Sequence, residues 1–261
     1  MRHHILSEIE SDVTEKIYVQ SNERIGDVTS SKGNQMKWYS CGKYIKLNCL
    51  GYESVAECLV SWFLKFTNLK PNEYVTYKAC VVYEDGKCLG LGCYSEDFLN
   101  GGDEVTVKDI LSANVMSFSI SYDDLRDFLF DIVKFDVKPY FDKILCLDSI
   151  TRNDDRHFDN ISFIYRDGVF RPAPIFDNGG ACMSDLIMYP MSVDFDTNYK
   201  SILAKPFRTN FVSQLQNVDK LVVDYDSFFN SVALNSAAAI RALEVLKRGL
   251  KETEGIAWER S

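Results

Sequence analysis

The sequence predicts an α+β protein with two lobes, a β-rich N-lobe with one helix and a mostly helical C-lobe. The first hundred residues form short apolar runs separated by turns, whereas the later chain follows the helical period. Between the two patterns lies a glycine-rich break, Gly101-Gly102-Asp103. The chain has 261 residues, 46% hydrophobic and 26% charged, which is enough for a core of globular composition.

The N-lobe pattern predicts a mostly antiparallel sheet that carries one helix. A hairpin is expected to turn at Gly42, and Asp85-Gly86 is typical of a second tight turn. Apolar residues recur at helical spacing from Ser54 to Phe66, which predicts the helix. The expected strands cover residues 16–20, 36–39, 43–47, 74–77, 79–83 and 88–93.

The C-lobe pattern is helical on both sides of an irregular stretch. The helical period covers residues 122–135, and a further helix is expected to open at Pro139, because proline is favourable in a first turn. A long helix is expected over residues 226–252. We place the N-lobe at residues 1–98 and the C-lobe at residues 99–261.

Composition limits the classes of partner. The formal net charge is -9 with a pI of about 4.9, and no basic block offsets it, which argues against direct binding of nucleic acid or an anionic membrane. No apolar stretch approaches the roughly 20 residues that span a bilayer. Eight cysteines without a CxxC pair and only three histidines argue against a zinc site. These features predict a reduced, cytoplasmic protein with no membrane partner.

The residues that carry chemistry lie in the irregular stretch. Four residues separate Asp155 from Asn160, the spacing of a kinase catalytic loop in which the carboxylate accepts a hydroxyl proton and the amide holds Mg²⁺. An expected hairpin over residues 161–175 then delivers Asp177 and Gly179, an Asp-x-Gly that can present a second metal-binding carboxylate. Asp and Asn are also common in ordinary turns. The spacing alone is therefore weak, and its combination with the hairpin and the Asp-x-Gly favours phosphoryl transfer.

This stretch resembles the HipA-like serine/threonine kinases, bacterial enzymes often found in toxin–antitoxin systems. The matching segments are Asn153-x-Asp155-x-His157-x-x-Asn160 and Ala173-Pro174-Ile175-Phe176-Asp177. Upstream, residues 30–37 look like the family's phosphate loop, and Tyr44-Ile45-Lys46 resembles the strand with the ATP-contacting lysine. The match spans about residues 30–180 and implies a bilobal protein-kinase-like fold.

The resemblance implies ATP and Mg²⁺ as cofactors and assigns the central residues. Asp155 is expected to be the catalytic base. Asn160 and Asp177 are expected to hold Mg²⁺. Lys46 would contact the α- and β-phosphates and pair with Glu57, which falls where the helix partner of that lysine is expected.

The resemblance also implies the groups around the nucleotide. A hinge over residues 93–98, with Glu96 and Phe98, would meet adenine through its backbone. Family members can be silenced by autophosphorylation of a phosphate-loop serine, and the corresponding residue is Ser30. The phosphate loop would act through Ser31, Gly33, Gln35 and Lys37.

Two features depart from the family. Typical members carry a sizeable β domain before the phosphate loop, whereas this loop begins at about residue 30. An antitoxin or accessory subunit is therefore a candidate replacement for that domain. Asp159 stands where the best-known members have lysine before the metal-binding asparagine. The protein substrate itself is not readable from the sequence.

Other interpretations remain open at this stage. Ser54-x-x-Glu57 also fits a capping box at a helix start, and Lys46 could be a solvated edge lysine. A small-molecule kinase of the aminoglycoside or choline type would carry histidine where Asn153 stands. A pseudokinase or scaffold usually loses the base, the metal-binding Asp or the lysine, and all three types are present here. Nucleotidyl transfer with ATP bound in reverse is a further alternative.

Overall fold

The computed structural model describes residues 15–25, 35–232 and 236–261, and its architecture confirms the predicted α+β class. The strands in these residues are β1 (Lys16–Val19), β2 (Lys37–Ser40), β3 (Lys43–Leu47), β4 (Lys78–Glu84), β5 (Lys87–Glu96), β6 (Asp103–Thr106), β7 (Ser162–Arg166), β8 (Val169–Pro172), β9 (Leu221–Val223) and β10 (Trp258–Arg260). The helices are α1 (Glu53–Leu64), α2 (Val107–Ala113), α3 (Tyr122–Val133), α4 (Lys138–Thr151), α5 (Phe195–Ser201), α6 (Phe211–Gln214), α7 (Tyr225–Ser231) and α8 (Ala237–Thr253).

The N-terminal sheet has the strand order β1-β4-β5-β3-β2, and only the β1–β4 pair is parallel. Its two tight hairpins turn at Cys41-Gly42 and Asp85-Gly86, where all four residues have positive φ of 47 to 81°. Consecutive positive φ angles give a turn whose twist matches that of the flanking strands. Both predicted turns are therefore confirmed.

Strand β3 places its side chains alternately on the two faces of this sheet. Ile45 joins a buried cluster with Trp38, Val82 and Tyr94 on one face, while Lys46 projects from the other face toward α1. At Gly92 of β5, a Cβ would lie 2.2 Å from the carbonyl oxygen of Lys46. Glycine at this position therefore lets β5 lie close to the backbone of Lys46.

Helix α4 is the central element of the C-terminal part. Pro139 lies in its first turn, where a missing N–H costs no hydrogen bond. The helix ends at Thr151, and the next residue, Arg152, has a left-handed φ of 55° that turns the chain into the irregular stretch. Helix α8 crosses α4 closely, since a Cβ on Gly249 would lie 1.8 Å from the carbonyl oxygen of Ile150. The remaining sheets are β6-β7-β8, which is antiparallel, and β9-β10, which is parallel.

Three expectations about local structure are wrong. Residues 74–77 form no strand, because only Tyr74 makes an isolated bridge, with Ile175. The helix expected over residues 226–252 is two helices, α7 and α8, and Val232 between them is extended. The hinge does not start at residue 93, because β5 continues to Glu96. The lobe boundary placed between residues 98 and 99 stays a prediction, and it falls between β5 and β6.

No helix within the described ranges is long and apolar enough to cross a membrane.

Candidate active site

Lys46 lies at the meeting point of three segments. Its Nζ is 2.7 Å from Glu57 Oε1 on α1 and 2.8 Å from Asp177 Oδ1, which follows β8. Burial would lower the pKa of Lys46, but Asp177 and Glu57 outweigh this effect and raise the pKa well above its usual range. The lysine is therefore a buried cation in a charge cluster, and it is not a solvated edge residue.

Glu57 supports the lysine and also holds the segment after β8. Its Oε2 accepts a hydrogen bond of 2.9 Å from the backbone N–H of Asn178. Burial raises the pKa of Glu57, and Lys46 only partly offsets that rise. The alternative capping box is absent, because α1 begins at Glu53, whose carboxylate accepts N–H groups from the preceding residues, including Leu50 and Gly51. Glu57 is thus available for the ion pair.

Asp177 is held in its anionic form between two lysines. Its Oδ2 lies 3.4 Å from the Nζ of Lys37 on β2, and its Oδ1 contacts Lys46. Burial would raise the pKa of Asp177, but Lys37 and Lys46 outweigh burial and hold the pKa well below its usual range. The residue has a φ of 54°, an uncommon conformation for a non-glycine residue. Its backbone N–H donates to the Tyr77 hydroxyl at 3.3 Å.

The catalytic-loop candidates are ordered by hydrogen bonds among themselves. The N–H of Asp155 donates to Asn153 Oδ1 at 3.0 Å, and Asn160 Nδ2 donates to the Asp155 carbonyl oxygen at 3.0 Å. The Asp155 carboxylate lies 3.9 Å from His157 Nε2, at Oδ1. Burial lowers the pKa of His157, although the carboxylates of Asp155 and Asp159 oppose that shift. Burial therefore favours the neutral form of this histidine beside Asp155.

Arg156 lies between Asp155 and Asn160 in the sequence, and its side chain connects three segments of the site. Its side chain is fully buried and pairs with Asp148 of α4, with Nε–Oδ2 at 3.0 Å and Nη2–Oδ1 at 3.1 Å. Its remaining donors reach the carbonyl oxygens of Asn160 at 3.0 Å and Phe176 at 2.8 Å, and Asn178 Oδ1 at 2.8 Å. One guanidinium thus joins α4, the loop of residues 153–160 (the Asp155 loop) and residues 176–178 (the Asp177 segment).

Sequence reasoning missed Arg156 and Asp148. The available signal was a charged residue inside the apolar run of α4, since an aspartate in such a run needs a buried partner. Gly180 lies three residues after Asp177. A Cβ there would lie 2.6 Å from the Asp155 Cβ, so this glycine lets the segment after β8 lie against the Asp155 loop.

The other predicted nucleotide contacts are placed unevenly. Phe98 lies between two aromatic rings, 5.8 Å from Tyr44 and 5.3 Å from Phe176, with the latter pair stacked. Glu96 ends β5, and its side chain is 71% exposed beside Lys43, so a hinge contact there would need its backbone.

The phosphate-loop candidates are only partly described. Gln35 Nε2 donates to the Leu47 carbonyl oxygen at 3.1 Å, which joins the end of the loop to β3. Lys37 contacts Asp177, as described above. Ser30, Ser31 and Gly33 lie outside the described residues.

The oxygen ligands predicted from the sequence are of the kind that binds Mg²⁺ together with water and phosphates, and they do not form a metal site from protein ligands alone. Across the described part of the chain, no three His, Cys, Asp or Glu side chains group in a way that could hold a metal. Mg²⁺ commonly takes one or two protein oxygens and completes its octahedron with water and substrate phosphates. The carboxylate of Asp177 and the amide oxygen of Asn160 are ligands of that kind, and both segments are anchored to Arg156.

Comparison with known proteins places the architecture. No protein-family model matches the sequence, and no curated protein matches it. Among solved structures, the proinflammatory kinase CtkA of Helicobacter pylori matches 90% of this chain and 95% of its own, with a TM-score of 0.61 and 13% sequence identity. The chain has a protein-kinase-like fold. The predicted fold class is thereby confirmed.

A second match comes from the Shewanella oneidensis MR-1 toxin–antitoxin system, solved as HipA and HipB with their operator DNA. It covers 87% of this chain and 66% of the matched one, with a TM-score of 0.45 and 15% sequence identity.

Proposed function

We propose that this chain is an ATP-dependent protein kinase of the HipA-like type that transfers the γ-phosphate of ATP to a serine or threonine hydroxyl. The observation that carries the proposal is the buried Lys46 between Glu57 and Asp177, beside the Asp155 loop that Arg156 ties to the same segment. The similarity of the fold to that of CtkA supports it. Substrate class and any role as a toxin belong to the proposal.

The binding roles follow from charge. The ammonium of Lys46 would hold the α- and β-phosphates, with Glu57 keeping the side chain in place. Asp177 and Asn160 would hold Mg²⁺, which supplies neutralisation of phosphate charge. Phe98, stacked on Phe176, offers an apolar surface for the adenine.

The transfer step needs one proton acceptor. Asp155 would accept the proton of the substrate hydroxyl while the hydroxyl oxygen forms a bond to the γ-phosphorus. The bond from that phosphorus to the β–γ bridging oxygen breaks, and ADP leaves with the bridging oxygen. The loop contacts of Asp155, through Asn153 and Asn160, hold it for this role before substrate binds.

The decisive assay is incubation of the purified chain with Mg²⁺, ATP labelled on the γ-phosphate and a cell lysate. We expect label on protein serine or threonine with the wild type, and none with Asp155→Ala or Asp177→Ala. Label confined to small molecules would contradict the protein substrate. ATP binding without any transfer would return the chain to the pseudokinase class.

Autophosphorylation at Ser30 is part of the proposal. A phosphate adds roughly two negative charges at neutral pH, which near the nucleotide phosphates would disfavour ATP binding. After long incubation with Mg-ATP, mass spectrometry should find phosphate on the peptide covering residues 29–32. An unmodified peptide would argue against self-silencing.

A further inference from the structure

Two cations of the described residues lie in or beside the Asp155 loop, and both are engaged with other groups. Within the loop itself, Arg156 is fully buried and spends its donors on Asp148, Asn178 and two carbonyl oxygens. Lys108, from α2, binds the neighbouring Asp159 at 3.0 Å.

A cation beside Asp155 would favour the transfer step. During transfer, the anionic γ-phosphoryl would come close to the carboxylate of Asp155, and two like charges in a cleft repel strongly. Lys37 and Lys46 contact Asp177, on the phosphate side of the site. Catalysis of this kind depends on fixed positive groups aimed where the charge develops.

Lys205 supplies such a group from a distant part of the sequence. It lies in the irregular segment between α5 and α6, and its Nζ is 3.8 Å from Asp155 Oδ1. The side chain is 44% exposed. An ion pair of this length, with one partner largely open to solvent, contributes little to stability.

The backbone under Lys205 is fixed in place. Gln214 of α6 donates from Nε2 to the Lys205 carbonyl oxygen at 3.1 Å, and its Oε1 accepts the N–H groups of Phe207 at 3.0 Å and Arg208 at 3.2 Å. The ring of Phe207 packs 5.9 Å from that of Phe158, which belongs to the catalytic-loop segment. The segment that contains Lys205 is therefore held by α6 and packs against the Asp155 loop through Phe207.

We propose that Lys205 is a catalytic residue whose ammonium contacts the transferring γ-phosphoryl while it faces Asp155. It stays protonated throughout, and it offsets the charge on the phosphoryl oxygens as the bond to ADP breaks. The inference rests on the proposed kinase function. It adds a residue that no motif in the 153–180 stretch contains.

The test compares Lys205→Met, Lys205→Arg and the control Lys200→Met, an exposed lysine on α5. The rate of label transfer from γ-labelled Mg-ATP is measured with the chain itself and myelin basic protein as acceptors. We expect Lys205→Met to lose about 10²-fold in kcat, the scale of losing one transition-state charge contact. Lys205→Arg should keep a large part of the rate, and Lys200→Met should match the wild type.

Binding separates catalysis from structure. Lys205→Met should leave the Kd of Mg-ADP and the melting temperature unchanged, and should weaken binding of Mg-ADP with aluminium fluoride, which mimics the transferring phosphoryl. A variant as fast as Lys200→Met would overturn the assignment. So would a loss of Mg-ADP affinity or of thermal stability that accounts for the lower rate. If the wild type itself transfers no phosphate, the kinase proposal fails and the role of Lys205 fails with it.

Discussion

The Arg156→Met substitution tests the lock that holds the two halves of the site together. Methionine keeps an unbranched apolar stem but removes every hydrogen-bond donor, while Asp148 remains fully buried on α4. The carboxylate of Asp148 then has no cationic partner among the residues that the structure describes. The carbonyl oxygens of Asn160 and Phe176 also lose their donor.

The size of the effect follows from these contacts. Removing one partner of a buried ion pair costs about 3–5 kcal/mol, because the remaining charge is left uncompensated. For a domain of this size, that corresponds to a fall in melting temperature on the order of 10 °C. Phosphoryl transfer should fall as well, since the Asp155 loop and the Asp177 segment are no longer tied to one group.

The pH dependence identifies the cause. Burial raises the pKa of Asp148, and Arg156 partly counters that rise, so its removal raises the pKa further. A carboxyl group with a raised folded-state pKa costs no stability below its unfolded value of about 3.9, and costs most above the folded value. The deficit of Arg156→Met should therefore shrink as the pH falls from 7 toward 4.

The assay is urea unfolding of the wild type, Arg156→Met and the double variant Asp148→Asn/Arg156→Met over this pH range. The double variant should recover part of the stability at pH 7 and show no pH-dependent deficit of this kind. Equal midpoints for the wild type and Arg156→Met at pH 7 would refute the lock. A double variant no more stable than Arg156→Met would refute the buried charge as the cause.

Two further substitutions probe the same site. Gly180→Ala should slow phosphoryl transfer at least about tenfold, because the new Cβ would lie 2.6 Å from the Cβ of Asp155. Gly179→Ala should leave the transfer rate nearly unchanged, because the nearest atom to its new Cβ lies at 3.5 Å. Equal transfer rates for the two variants would contradict the close packing at Gly180. Lys46→Met should lower the transfer rate about 10²-fold or more and weaken Mg-ATP binding measured by calorimetry. Glu57→Gln should lower both the rate and the affinity by less. A Lys46→Met variant that keeps the wild-type rate and affinity would contradict the role assigned to Lys46.

Features set by local sequence were predictable. The turns at Gly42 and Asp85-Gly86 follow from residues that tolerate positive φ, and helix α1 from its apolar period. The pairing of Lys46 with Glu57 was expected from the resemblance to a kinase family, and the structure shows it. The contact of Lys46 with Asp177 was not predicted. Their roles in catalysis stay predictions.

Features set by distant contacts were not predictable. Strands β9 and β10 have three residues each and pair across almost forty positions, so neither run carries a recognisable period. Residues 74–77 are β-like in composition, but only Tyr74 finds a bridge partner, at Ile175. Lys205 has no local signal at all, because its position beside Asp155 is set by the packing of α6 and Phe207.

The most direct test of the account is transfer of the γ-phosphate by Asp155→Asn, compared with the wild type in samples whose Mg-ATP affinity is measured at the same time. Asparagine keeps the shape of the side chain but cannot accept the hydroxyl proton as a carboxylate does. The account predicts that Asp155→Asn binds Mg-ATP as the wild type does and transfers almost no phosphate. Transfer at the wild-type rate by this variant would contradict the assignment of Asp155, and with it the proposed active site.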